Sequence, residues 1–384
     1  MKFVHFTPDY NFLRKFVLPI ARYQQKMGDE VDVASHAAGK SKGSSEDSEA
    51  MEHDADITFH SLCLKPKSPD YIFSLIKLFR MLLSTKPDVI FLHSTTLAFF
   101  PLILVSIFFP NIVRIYINHG VPFIGYSGLV RFVLKNIELT NLRLAHHTYT
   151  VSKSMQSILM SVKNGAGVEV VGAGSACGVL IPYDNIKDLE QARKNARASL
   201  GIDPDAKVLL YVGRPVARKG LWDLISAWQN IRDIFPIKIY LVGPSLHDLE
   251  IRGIRSELDL HVMGYQENPE LFFLAADILC VPSYHEGLGY TYIEAATFGC
   301  VPICSNIPGP TDFVEHNITG LTVQPGNVPS IVEQIMFLCN NPVAWEELSK
   351  RAFLEAKRYD RSAIVEDIAL NMKRAIATHC NNRI

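Results

Sequence analysis

No apolar run in this 384-residue chain is long enough to cross a bilayer. The most apolar stretch, LAFFPLILVSIFF (Leu97–Phe109), has thirteen residues, whereas a spanning helix takes about 20. It is expected either as a buried helix or as a segment lying at a membrane surface. The start, MKFVHFTPDYNFL, has an early Asp and too short an apolar core for a secretory leader. Clustered cysteine is lacking too. Seven cysteines are scattered along the chain, most in apolar strings such as ILCVP (278–282) and VPIC (301–304), which points to buried, reduced thiols in a cytosolic protein. Cys300 and Cys304 form a C-x3-C pair, but no second pair or nearby His completes a zinc ligand set. A net charge of −1 excludes a dedicated nucleic-acid binder, which would be clearly basic. Nucleotide motifs of the common kinds are missing as well. There is no Walker lysine motif, and Gly172-Ala-Gly174-Ser-Ala-Cys-Gly178 places its third glycine one position late for a dinucleotide fingerprint. The two D-x-D strings, Asp54-Ala-Asp56 and Asp203-Pro-Asp205, both precede an expected strand instead of following one, so neither is placed to hold a metal for a diphosphate.

What is present is an ordinary globular composition, 48% apolar and 20% charged, with ample core for two domains at this length. The charge is uneven. Residues 1–180 hold 18 Lys+Arg against 14 Asp+Glu, and residues 181–384 hold 20 against 25, so the N-terminal half suits a partner carrying negative charge. The strand candidates are KFVHFT, Glu30–Ala34, Ile57–Phe59, Asp88–Leu92, Ile112–Asn118 and His147–Val151, alternating with helical stretches at Phe12–Lys26, Pro69–Ser84, Leu97–Phe109 and Leu129–Leu144. The pattern then restarts with strands Val208–Val212, Ile237–Val242, Leu260–Met263, Ile278–Val281 and Val301–Cys304. Such alternation predicts two α/β units with parallel sheets. The Gly-, Ser- and acid-rich segment Ser35–Asp56 reads as a mobile loop, and the unit boundary is expected between about Val179 and Leu200.

Open parallel sheets bind ligands beyond the carboxyl ends of their strands. That rule gathers Gly213-Arg214 after VLLYV, Gly243-Pro244 after IYLV, Gly264 after HVM, the stretch YHEGLGYTYIEAATFGC (284–300) after ILCV, and His119 after IVRIYIN. Arg214, Arg218 and Lys219 lead into the helix expected from Leu221. Cations are disfavoured beside a helix N-terminus unless an anion sits there, so this is a candidate anion site. Glu286 and Glu294, with seven residues between them, allow two readings. In one, Thr291 and Glu294 form a T-x-x-E capping box and Glu286 is a solvated loop residue. In the other, both are ligand-binding carboxylates at a glycine turn. A glycosidase pair is judged by spatial separation, which sequence does not give.

The segments VGRPVARKG (212–220) and PSYHEGLGYTYIEAATFGCVPICSNIPGPTDFVEHNITGLTV (282–323), with GSACGVLIP (174–182) and NHGVPF (118–123), resemble the retaining glycosyltransferases of family 4, in particular bacterial members that assemble polysaccharide, capsule or O-antigen. TPDYNF (7–12) departs from the Gly-Gly turn that many members carry after the first strand. The resemblance implies the GT-B fold, two Rossmann-like domains with parallel sheets facing a cleft. It implies an acceptor-binding domain at 1–180, a nucleotide-sugar-binding domain at 181–355, and a C-terminal helix at 356–384 that crosses back to the first. By the same resemblance Glu294 holds the donor ribose, Glu286 meets the transferred sugar, and Arg214 and Lys219 clamp the diphosphate. Backbone N–H groups of Gly287, Leu288, Gly289, Tyr290 and Thr291 approach the sugar and diphosphate. Gly213, Gly243, Gly264 and Tyr265 lie by the nucleotide, and His119 lies near the sugar. The implied reaction moves a hexose or N-acetylhexosamine from a UDP-sugar, without metal, to a polyprenyl-diphosphate-linked glycan. The N-terminal domain would rest on the inner face of the cytoplasmic membrane. A soluble small acceptor, a non-catalytic sugar-nucleotide binder and a sugar-nucleotide epimerase are the alternatives on this fold.

Overall fold

The computed structural model describes residues 1–36, 57–62, 71–163, 167–254 and 259–381. The chain divides into two compact units, Met1–Gly178 with Ser362–Ile384, and Val179–Arg361.

The first unit is built on strands β1 (Lys2–Thr7), β2 (Glu30–Ser35), β3 (Thr58–Ser61), β4 (Val89–His93), β5 (Val113–Asn118), β6 (His147–Thr150) and β7 (Val168–Val170). They pair in parallel in the order β3-β2-β1-β4-β5-β6-β7. This is the doubly wound order with a switch point between β1 and β4. Every residue of β4 and β5 is buried, as expected for strands covered on both faces. Side chains alternate along β1. Val4 and Phe6 join a core with Leu78, Leu82, Leu102 and Leu142 of the crossover helices. Phe3 faces the opposite way, into a core closed by Ile364, Ile368 and Met372 of the helix Arg361–Asn381. Lys373 Nζ of that helix reaches Asp29 Oδ2 at 2.7 Å.

The second unit has strands β8 (Lys207–Val212), β9 (Ile237–Val242), β10 (Leu260–Gly264), β11 (Ile278–Val281), β12 (Val301–Ser305) and β13 (Leu321–Val323). All are parallel, in the order β10-β9-β8-β11-β12-β13, which repeats the switch between β8 and β11. Both sheets are therefore the α/β architecture expected from the alternation.

In sequence the main segment of the first unit ends at Gly178 and the second unit starts at Val179, so the span 179–200, over which the boundary was expected, lies in the second unit. Asn185 caps a helix at Ile186–Ser199, accepting from Asp188 N. Arg193 Nη2 and Arg197 Nη2 of that helix reach the Asp277 carboxylate at 2.8 and 3.0 Å. Ser35 completes β2 instead of opening a loop, and residues 37–56 of that expected loop lie outside the described residues. The apolar stretch forms the helix Thr95–Phe108, which is neither wholly buried nor wholly surface. Leu97, Ala98, Pro101, Leu102 and Val105 enter the core, while Phe100, Ile107 and Phe108 are exposed. Among the described residues no helix is long and apolar enough to cross a membrane.

Candidate functional site

In the second unit the strand-end loops converge. Gly213 N donates to Val242 O at 3.0 Å, and Gly243 N donates to Gly264 O at 2.7 Å. The approach is so close that a Cβ on Gly243, at φ 111°, would lie 2.1 Å from Gly213 O. Only glycine fits there. Tyr265, next along the chain, is 77% exposed.

Glu286 lies after β11, buried. Its Oε1 receives Lys219 Nζ in a short ion pair and accepts from Ser283 Oγ at 2.9 Å. Burial by itself would raise the carboxyl, but the Lys219 ammonium, the Ser283 hydroxyl and the Arg218 charge outweigh it, so the group is held below the ordinary carboxylate range. The solvated-loop reading of Glu286 is thereby corrected. Lys219 belongs to a short helical turn, Ala217–Lys219, that enters the helix Leu221–Ile231 through Gly220. The expected anion site is thus divided. Lys219 is turned onto Glu286, whereas Arg214 and Arg218 are exposed, Arg218 donating from Nη1 to His285 O at 3.3 Å.

The glycine turn leads into the helix Tyr290–Ala296, whose N-cap is Gly289 at φ 84° with no side-chain cap. A Cβ on Gly289 would meet the Tyr292 ring at 2.5 Å, and Tyr292 is anchored through its hydroxyl to Val281 O at 2.5 Å. The capping box is corrected by the same geometry: Thr291 already lies inside the first turn, so its side chain is not at the cap position. Glu294 is half-buried on this helix, and Leu288 is buried, leaving the turn's backbone as its polar offering.

The first unit carries a different constellation. His119 follows β5, half-buried. Its Nε2 lies 3.0 Å from His93 Nδ1, His93 Nε2 lies 3.3 Å from His5 Nδ1, and His5 Nε2 lies 2.8 Å from Gln24 Oε1. The parallel pairing of β1, β4 and β5 brings these rings together. Burial lowers His119 to about 3 and His5 to about 4. Burial also lowers His93, with its two histidine neighbours adding to the effect. All three rings are neutral at pH 7. In the same unit the buried Glu138 accepts from Thr95 Oγ1 at 2.7 Å, Tyr116 hydroxyl at 2.9 Å and, at 3.1 Å, Nδ2 of Asn118, the residue before His119. Asn118 Oδ1 in turn accepts from Gly120 N at 2.9 Å, which fixes the backbone beside His119. Burial pushes Glu138 up to about 7, against the lowering effect of those hydrogen bonds. Among the described residues no three His, Cys, Asp or Glu side chains form a group that could hold a metal ion. Among the cysteines described, Cys177, Cys280, Cys300 and Cys304 are buried.

Sequence reading singled out Glu286 and Lys219 but not their pairing, and singled out His119 but not His93, His5 and Gln24, which link to it in turn, nor Ser283 beside the pair, nor the buried Glu138. Histidines within or ending three apolar strands were the available signal for the imidazole chain.

Two family models match the chain, "Glycosyltransferase Family 4" over residues 14–174 and "Glycosyl transferases group 1" over residues 192–357. A lipopolysaccharide core biosynthesis glycosyltransferase, LpsD of Rhizobium meliloti, is 31% identical over 40% of this chain and 45% of its own length. The N,N'-diacetylbacillosaminyl-diphospho-undecaprenol alpha-1,3-N-acetylgalactosaminyltransferase of Campylobacter jejuni is 24% identical over 65% of each chain. The chain spans about half the length of curated relatives that it matches. Among solved structures, Anabaena HepE in complex with UDP and glucose superposes with a TM-score of 0.76 at 16% identity, covering 97% of this chain and 100% of that one.

Proposed function

We propose, from the premise that the chain belongs to the glycosyltransferases that join a family 4 unit to a group 1 unit in the GT-B fold, that it transfers a hexose or N-acetylhexosamine from a UDP-sugar to a lipid-linked glycan, with retention and without metal. The observation that carries this reading is the buried Lys219–Glu286 pair set among strand-end glycines in the group 1 unit. A buried carboxylate held ionised is an acceptor-only group suited to sugar hydroxyls. Glu286 would take hydroxyls of the transferred sugar and Glu294 those of the ribose. Lys219 and the exposed Arg214 would offset charge developing on the diphosphate as the nucleotide leaves. Backbone N–H groups at Gly287, Leu288, Gly289, Tyr290 and Thr291 would serve the same oxygens. Gly213, Gly243, Gly264 and Tyr265 would border the base, and His119 would meet a sugar hydroxyl.

In the step itself the acceptor oxygen bonds the anomeric carbon on the face the phosphate leaves. The anomeric C–O bond breaks, and the acceptor's proton passes to a phosphate oxygen. No protein base is required, and catalysis rests on positioning. The UDP choice draws support from the HepE complex, and the lipid-linked acceptor from the Campylobacter relative's name. The helix Gly128–Leu144, which exposes Leu129, Val130, Phe132 and Val133 beside Arg131 and Lys135, supports docking on an anionic membrane.

The test is a thermal-shift screen of nucleotide sugars, since a donor at 100 times its Kd adds about 2.7 kcal/mol, followed by transfer of labelled sugar from the best donor into a membrane lipid extract in excess EDTA. UDP-sugar stabilisation and label in the lipid phase are expected. No stabilisation by any nucleotide sugar would overturn the donor reading. Label only in water-soluble product would replace the acceptor, and activity lost in EDTA but restored by manganese would overturn metal independence.

A further inference from the structure

We propose that Gln24, His5 and His93 are positioning residues that hold His119 as its Nε2–H tautomer, so that the ring presents Nδ1 as a hydrogen-bond acceptor. The substrate role of His119 rests on the function proposed above; the tautomer does not. The argument runs outward from the core. The Gln24 carbonyl oxygen, 2.8 Å from His5 Nε2, can only accept, so that nitrogen carries hydrogen. A neutral imidazole has one N–H, so His5 Nδ1 must accept, and the donor 3.3 Å away is His93 Nε2–H. His93 Nδ1 is then an acceptor, and the donor 3.0 Å away is His119 Nε2–H. His119 Nδ1 is left as a lone pair, and among the described residues it has no partner.

Each proton placement dictates the next because His5 and His93 are fully buried. A proton on the wrong nitrogen would set two N–H groups or two lone pairs against each other where no water can relieve them. The rings are also held against flipping. His5 stacks on Phe91 with centroids 4.3 Å apart and planes 5° apart. Phe12 meets His119 edge-on at 4.7 Å, from a helix that turns through a π-helical stretch at Leu13–Val17. The chemical consequence is selectivity. An outward lone pair accepts from a hydroxyl, such as that of a sugar, and rejects carboxylate and phosphate oxygens, which also only accept.

The experiment is long-range proton–nitrogen NMR on the full chain with 15N-labelled imidazoles, the His119 signals being identified through His119→Gln. Wild-type His119 is expected as Nε2–H, with a preference of at least about ten to one over the other tautomer. In Gln24→Met the preference should collapse towards an even mixture while the melting temperature stays within a few degrees. Nδ1–H on wild-type His119 would mean that Gln24 presents its amide nitrogen, and would overturn the proposal. An unchanged preference in Gln24→Met would overturn it too. The wild-type spectrum decides the direction without any variant, so a variant that fails to fold does not protect the idea. If the tautomer is as expected but His119→Gln transfers sugar normally, the relay stands and the substrate role of His119 falls.

Discussion

Within β1, at the end of β4 and just after β5 the chain places three imidazoles that burial keeps neutral, whereas after β8 and β11 it places an ammonium and a buried carboxylate that the ammonium holds ionised. The two sheets share a strand order with one switch point each. The difference lies wholly in side chains. In the first unit direction is carried by which nitrogen holds a proton, so the polar groups offer orientation without net charge. In the second, direction is carried by fixed charges, whose effect reaches further and weakens with salt. The same contrast appears in the two buried glutamates. Glu286 has a cation beside it and stays ionised; Glu138 has only hydroxyl and amide donors and is pushed up to about 7. A buried carboxylate is thus set by its neighbours, and the backbone alone does not determine its state.

The largest effect should come from breaking the charged pair. Lys219→Ala removes a preorganised cation and is expected to lower turnover on the order of 10²-fold or more. It also strands Glu286, and breaking a buried pair costs about 3–5 kcal/mol, so the melting temperature should fall as well. Lys219→Met with Glu286→Gln removes both charges and should recover the melting temperature without recovering turnover. Initial rates and thermal denaturation on the same preparations read both. A Lys219→Ala enzyme with near wild-type turnover would remove the cation from the mechanism.

Next is the opposite pH dependence of the two glutamates. Glu286 has a folded-state pKa below its unfolded value, so its contribution is present above the unfolded pKa and is lost as pH falls through the folded one. Glu138 has the reverse sign. Its contribution is complete below the unfolded value of 4.5 and is lost as pH rises to about 7, a change of about 3 kcal/mol. Glu138→Gln has no proton to lose. Its melting temperature relative to wild type should therefore climb between pH 4.5 and 7. A difference that stays flat over that window would mean that Glu138 is already ionised or has an ordinary pKa.

A smaller effect is expected at Glu294, where the glycine turn meets its helix. Because Gly289 is the N-cap and no side chain caps it, Glu294→Gln does not disturb a capping box, and a change in ligand affinity reports on the ligand. Loss of one charge-assisted hydrogen bond to a ribose hydroxyl should weaken UDP by about 1.5–3 kcal/mol, read by titration calorimetry. Equal affinities would remove Glu294 from the ribose.

The reach of the sequence follows the same divide. Buried parallel strands leave continuous apolar runs, so β4, β5, β9 and β11 were legible within a residue or so. The helix Ile186–Ser199 was not, because its two arginines owe their burial to Asp277, about 80 residues further along. T-x-x-E spacing suggested a capping box, but the left-handed Gly289 starts the helix too early for it. Glu286 and Lys219 stood out by resemblance, yet their contact is 67 residues apart in sequence and has no local trace. His5, His93 and His119 are adjacent only because the strand order is 1-4-5 across the switch point.

The last comparison concerns surfaces. In the first unit the opening turns of the helix Gly128–Leu144 carry Leu129, 76% exposed, and Phe132, 65% exposed, with Val130 and Val133, and Arg131 and Lys135 lie exposed among them. Among the described residues the second unit has no run of exposed large apolar side chains so closely spaced. Such a turn is costly to leave in water, and aliphatic and aromatic side chains interleaved with cations suit an anionic bilayer surface. Each cation near such a surface contributes about 1 kcal/mol, so neutralising two should lower partitioning about thirtyfold. Reversing them in Arg131→Glu with Lys135→Glu adds repulsion and should lower it further. Raised salt should reduce wild-type binding, because it screens surface charge, whereas Leu129→Ser with Phe132→Ser should weaken binding about equally at low and high salt. Sedimentation with liposomes of graded anionic content separates these cases. Wild-type protein that stays in the supernatant with anionic liposomes at low salt would remove the docking surface, and would turn the acceptor towards a water-soluble glycan.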